Sequence, residues 1–81
     1  VSVQPHIFEV GKQYRVLQSL TVGPSSFEAG ETLVFELDGY VPYDGSYAYQ
    51  FHDQKSGETK TWLLHESKPI DTWKTFFLRV D

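Results

Sequence analysis

Apolar and polar residues alternate along most of this chain with a period of two, and the alternation breaks at glycines and prolines. The first strong run is residues 12–22. Tyr14, Val16, Leu20 and Val22 share one face, with Gln18 the polar exception and Leu17 apolar on the other side. A bulge near Leu17–Gln18 reconciles the two halves. Residues 23–26, Gly-Pro-Ser-Ser, read as a loop. In the series Phe27-Glu28-Ala29-Gly30-Glu31, Gly30 is placed to supply a positive φ in a tight turn. Residues 32–38 then alternate cleanly, with Leu33, Phe35 and Leu37 inward and Thr32, Glu36 and Asp38 outward. Val34 is the one apolar residue outside.

Residues 39–45, Gly-Tyr-Val-Pro-Tyr-Asp-Gly, form a turn-rich connector in which Pro42 fixes φ and Asp44-Gly45 is a turn dipeptide. Tyr47, Tyr49 and Phe51 next alternate with Ser46, Ala48, Gln50 and His52. A hairpin loop, residues 54–57, leads into residues 58–65. A four-residue loop pairs Asp53 with Glu58, and so sets Phe51 against Lys60, Tyr49 against Trp62 and Tyr47 against Leu64. A loop one residue shorter sets Tyr49 against Leu63 and Gln50 against Trp62, exchanging the faces. The first register is preferred because it makes a Tyr49–Trp62 aromatic pair. It leaves two like charges, Asp53 and Glu58, at the mouth of the turn.

The pattern changes at the two ends. Ile70, Trp73, Phe76 or Phe77, and Val80 recur at helical spacing, Pro69 suits a first turn, and Asp71 sits where a helix start favours an acid. A short helix over residues 70–78 is expected, with a final strand over 75–80 as the competing reading. Residues 1–10 are weakly patterned and carry Pro5, so they read as a tail or edge segment with a short extended piece near 7–10. The sum is a mainly β fold: a small SH3-like antiparallel barrel of four or five strands, or an OB-like one, with a short C-terminal helix.

Length makes residues 1–81 a single domain. Such a chain buries only about 60–65% of its unfolded surface, and no cysteine is present to add a disulfide or a thiolate metal site. The core must come from large side chains, which the thirteen aromatics (2 Trp, 5 Tyr and 6 Phe) supply. The lack of cysteine fits a reducing compartment and leans to the cytoplasm. The start at Val1, without a methionine, leaves room for a removed leader. No apolar run approaches the roughly 18 residues of a membrane span, so no membrane association is expected.

Net charge is −4, which argues against nucleic acid, since a phosphate-backbone binder needs clustered Lys and Arg. Six acids (Glu28, Glu31, Glu36, Asp38, Asp44, Asp53) and no bases fall between residues 16 and 54. This reads either as a solvated acidic face or as a surface that attracts a basic partner.

A family resemblance enters at the turn and core residues. The series Phe27-x-Ala29-Gly30-Glu31, Gly39-Tyr40-x-Pro42-Tyr43-Asp44, Tyr49-x-Phe51, Trp62, and Trp73 with Phe76-Phe77 resembles a small bacterial domain family with no assigned activity. The resemblance spans residues 14–77. It implies a bacterial source and a compact β-rich fold, and carries over no catalytic residue. Tyr40, Pro42, Tyr43, Tyr47 and Trp62 with Asp38 and Asp44 also resemble SH3 domains in chemistry. Those domains bind proline-rich peptides on an aromatic shelf beside an acidic loop. The cluster here lies mid-chain rather than at the first strand, so the resemblance is one of composition.

Catalytic and metal chemistry find little footing. His6, His52 and His65 do not converge by any local argument. Glu36, Asp38 and Asp44 could group around a hard cation but lack EF-hand spacing. Ser46 and Ser56 sit in turns without a nucleophile elbow. No enzyme activity, metal or cofactor is expected. The candidate site is Asp38, Tyr40, Pro42, Tyr43 and Asp44 with Trp62. Its expected role is non-catalytic binding of a protein or peptide, basic in character, because exposed tyrosines beside acids make a good contact patch. Two alternatives remain: an inhibitor or immunity-type protein capping a toxin or enzyme, and a domain that stacks its aromatics on carbohydrate or another small ligand.

Overall fold

The alternating segments pair into one antiparallel sheet and one ribbon. The computed structural model describes residues 7–80; residues 1–6, with His6 and most of the expected tail, and Asp81 lie outside them. The strands are β1 (Gln13–Val16), β2 (Leu20–Val22), β3 (Ser25–Phe27), β4 (Thr32–Val41), β5 (Ser46–His52), β6 (Thr59–His65) and β7 (Phe77–Arg79). The main sheet has the order β6-β5-β4-β1-β7, and β2 pairs with β3 as a separate ribbon. The ribbon crosses over β6, where the Thr61 N–H donates to Ser25 Oγ at 3.1 Å. The edges β6 and β7 do not bond to one another, so the sheet stays open rather than closing into a barrel. The mainly β class with a short C-terminal helix is what the chain adopts.

Residues 12–22 divide between the two sheets instead of forming one bulged strand. The chain turns a corner at residues 17–19, held by the Leu17 N–H on the Phe76 carbonyl (2.7 Å) and by Gln18 Nε2 on the Thr75 carbonyl (3.1 Å). Ser25 and Ser26, expected in a loop, belong to β3, and only Gly23-Pro24 turns. Gly30 does adopt a positive φ, 91°. Its N–H donates to the Val16 carbonyl and the Val16 N–H to the Glu31 carbonyl, both at 2.8 Å, which locks the turn against β1.

β4 is longer than the alternation shows and changes face partway. Leu33 and Phe35 point inward and are buried. The register with β5 then shifts between Phe35 and Leu37, a β-bulge at Glu36. Leu37, expected inward, is consequently 52% exposed. Asp38, expected outward, lies opposite Tyr49 on the inner side.

The β5–β6 hairpin has the four-residue loop and the preferred register: Phe51 faces Lys60, Tyr49 faces Trp62, Tyr47 faces Leu64. The like charges at its mouth are separated by local bonding. Asp53 turns its carboxylate into its own loop and accepts the Lys55 N–H at 2.9 Å, while the Glu58 N–H goes to Ser56 Oγ at 3.2 Å. The bond from Lys55 holds the Asp53 carboxyl below the usual range against the opposing effect of burial, with Ser56 and Glu31 helping. Lys60 reaches over the Phe27 ring (5.8 Å to its centroid) to a bidentate pair with Glu31 at 2.8 and 2.9 Å.

At the C-terminus helix and strand both form. Pro69 precedes a turn of 3-10 helix (Ile70–Thr72), one turn of helix α1 (Trp73–Phe76) follows, and β7 pairs back on β1. The helix stops at Phe76 because Phe77 drops into the core opposite Val16, where it is 1% exposed.

The core consists of Phe8, Tyr14, Val16, Phe27, Leu33, Phe35, Tyr49, Phe51, Trp62, Leu64 and Phe77. Phe8 comes from the segment expected to be a tail with an extended piece near 7–10, and no strand forms there. Its ring lies 5.0–6.1 Å from those of Tyr14, Phe35, Tyr49, Phe51, Trp62, Trp73 and Phe77, in mostly edge-on geometry.

Phe8→Ala should therefore cost about 3–5 kcal/mol of unfolding free energy, read from urea denaturation. A cost under about 1 kcal/mol would show that the segment is dispensable. The lowered Asp53 carboxyl contributes stability that is present above the ordinary Asp range and is lost as pH falls through its folded-state value. The stability gap between the wild type and Asp53→Asn should accordingly shrink as pH drops below about 4, measured by denaturation across pH. A gap that widens on acidification would contradict the geometry.

Candidate functional site

Beyond the bulge, β4 and β5 continue as a hairpin whose turn is residues 42–45. The Val41 carbonyl accepts the N–H groups of Asp44 (3.2 Å) and Gly45 (3.0 Å), and Gly45 takes a φ of 63° that a side chain would oppose. Pro42, Tyr43 and Asp44 are all exposed. Tyr43 stands 92% open to solvent.

The bulge brings Tyr40 opposite Tyr47, with ring centroids 5.3 Å apart at 47°. Tyr40 is 40% exposed, and its hydroxyl donates to Glu66 Oε2 at 2.7 Å. That bond, then burial and the Glu66 charge, raise the Tyr40 phenol above its ordinary value, since each favours the protonated form. The Glu66 N–H in turn donates to the Gly45 carbonyl at 2.9 Å. Beside it, His65 Nδ1 accepts the Ser67 N–H at 3.1 Å and lies 2.7 Å from Ser67 Oγ. An Nδ1 that accepts places the ring proton on Nε2 in the neutral imidazole.

Asp38, Tyr40, Pro42, Tyr43 and Asp44 thus run along one arm and the tip of the hairpin. Trp62 does not join them. It is 3% exposed, in the core against Tyr49 (5.8 Å) and Phe77 (5.3 Å). Glu66 and His65 take a place at the tip that the sequence reading did not give them. The signal was available: continuing the hairpin register one hydrogen-bonded rung past Tyr47–Leu64 sets Glu66 opposite Gly45. Among the described residues no group of three or more His, Asp or Glu could hold a metal ion. No described helix is long and apolar enough to cross a membrane.

The solved structure of an integron cassette protein from the mobile metagenome of Vibrio cholerae is similar to this chain, with a TM-score of 0.70 and 18% sequence identity. The match covers 91% of this chain and 87% of that one. The two share a fold. No protein-family model and no curated protein matches the sequence.

Glu66→Gln should lower the pKa of Tyr40 towards the ordinary value of about 10, followed by the Tyr40 ring-carbon shift in an NMR titration. The raised phenol contributes stability that is present below the unfolded-state pKa and is lost as pH rises through the folded one. The variant should therefore lose most stability relative to wild type at neutral pH and converge on it in alkali. An unchanged Tyr40 titration would mean that the bond to Glu66 does not hold in solution.

Proposed function

We propose that this chain is a non-catalytic binding module for a basic protein or peptide, docked on the tip of the β4–β5 hairpin. One observation carries the reading: an aromatic ring, Tyr43, held almost wholly in solvent on a turn flanked by carboxylates. Core packing gives no reason for a tyrosine there, and tyrosine is one of the side chains enriched as interface anchors. Asp44 is its neighbour in sequence, and Glu66 lies under the turn. Tyr40, tied by its hydroxyl to Glu66, offers a second ring at the same end with little freedom left to lose on binding. The acids would steer a cationic partner to the tip and align it there. A bacterial source for such a module agrees with the sequence motifs and with the fold shared with the Vibrio cholerae cassette protein.

Tyr43→Ala should leave the unfolding free energy within about 0.5 kcal/mol of wild type and weaken partner capture at least about tenfold. Capture should also weaken steeply with added salt. Binding that survives Tyr43→Ala, or that ignores salt between low and physiological ionic strength, would overturn the assignment.

A further inference from the structure

Among the described residues, the second edge of β6 carries a stretch of backbone with no strand partner. In an antiparallel ladder, successive residues point their N–H and C=O groups alternately toward and away from the partner strand. The Asp53 N–H bonds the Glu58 carbonyl and the Glu66 N–H bonds the Gly45 carbonyl, so the even-numbered residues of β6 face β5. The odd-numbered ones face away, as the bond from the Thr61 N–H to Ser25 confirms. Leu63 lies midway along that outward edge. Among the described residues β6 pairs only with β5, and no backbone group outside the sheet bonds Leu63. The slot is bounded on both sides. The ribbon closes it at Thr61, and the Lys68 N–H takes the His65 carbonyl at 2.9 Å.

A groove of about 410 Å³ runs along this same edge. Four successive β6 residues, Trp62 to His65, form one wall. Side chains alternate across a sheet, so one face cannot present four in a row; the strand's backbone edge must line the groove. Leu20 and Phe76 give the groove further apolar lining, and Lys68 adds a cation. Among the described residues no acid lines it, which is a local exception in a chain of net charge −4.

We infer that this groove is a strand-addition site for a short extended peptide with acidic residues next to apolar ones. The peptide would exchange backbone hydrogen bonds with Leu63, set alternate side chains over Trp62, Leu64 and Phe76, and present a carboxylate to Lys68. Backbone pairing supplies the affinity and the groove lining the selectivity. Lys68 and the acidic hairpin tip both lie at the C-terminal end of β6, so two surfaces of opposite sign adjoin there.

The test is amide NMR on the whole chain with a blocked hexapeptide of alternating valine and glutamate. Saturation should protect the Leu63 amide from hydrogen exchange at least about tenfold and shift the signals of residues 61–65, Lys68 and Phe76. A backbone N-methylated peptide, and one with lysine for glutamate, should each bind about tenfold more weakly or worse. Leu63→Pro removes an N–H that points away from β5, so the ladder survives and the peptide is lost. Lys68→Glu, outside the strand, should reverse the preference between the two peptides. The inference falls if no shifts occur at millimolar peptide, or if Leu63 stays unprotected in the bound state. It also falls if Leu63→Pro folds and binds as before. Leu63 protected without peptide, with concentration-dependent sedimentation, would show instead that two copies of the chain pair through this edge.

Discussion

The phenyl ring of Phe8 lies against seven other aromatic rings, drawn from β1, β4, β5, β6, α1 and β7. An open sheet of five strands has one face to cover, and among the described residues a two-stranded ribbon and two short helical turns are at hand for the purpose. One inserted ring does what a second layer does in a larger domain. Eight of the eleven core side chains among the described residues are aromatic, and mostly edge-on packing around a central ring lets them fill the volume. A small domain without cysteine or a core of many aliphatic residues can be held together this way.

The ionic contact of the interior follows from the same crowding. Lys60 alternates inward opposite Phe51, where an ammonium could not stay uncompensated. Its stem lies along Phe27 and its charge is met by both Glu31 oxygens, leaving the two side chains 11% and 19% exposed. Glu31 directly follows Gly30 in the turn that is hydrogen-bonded to Val16. The positive φ at Gly30 thereby positions the counter-charge as well as ending the turn.

Much of this was legible from period two. The inward sets of β5 and β6, the four-residue loop and the Tyr49–Trp62 pair follow from alternation and cross-strand chemistry. Three features were not. Phe8 carries no periodic signal, because it sits outside any strand and its burial depends on rings far away in sequence. The bulge at Glu36 leaves the local alternation intact while exchanging the faces after it, so Leu37 and Asp38 read the wrong way round. Trp62 resembled a contact aromatic by composition, yet the register that paired it with Tyr49 already committed it to the core. Charge and turn chemistry pointed to Tyr40, Tyr43 and Asp44 as candidates, which the structure places at the hairpin tip, whereas placing Glu66 beside them needed the register carried one hydrogen-bonded rung further.

The bulge also separates the core-forming part of a single strand from the part that carries the candidate site. β4 has ten residues, while its neighbour β1 has four. At about 3.3 Å per residue, the strand runs well beyond the part that Phe8 covers. Before Glu36 its inward residues, Leu33 and Phe35, belong to the core. After it the same side of the strand carries Asp38 and Tyr40, which the core does not need. An unsupported hairpin end would fray. Here the Tyr40 hydroxyl and the Gly45 carbonyl both bond Glu66, so the chain leaving β6 braces the tip. The bracing orders a surface that lies outside the aromatic core, an arrangement that suits a preorganised contact surface.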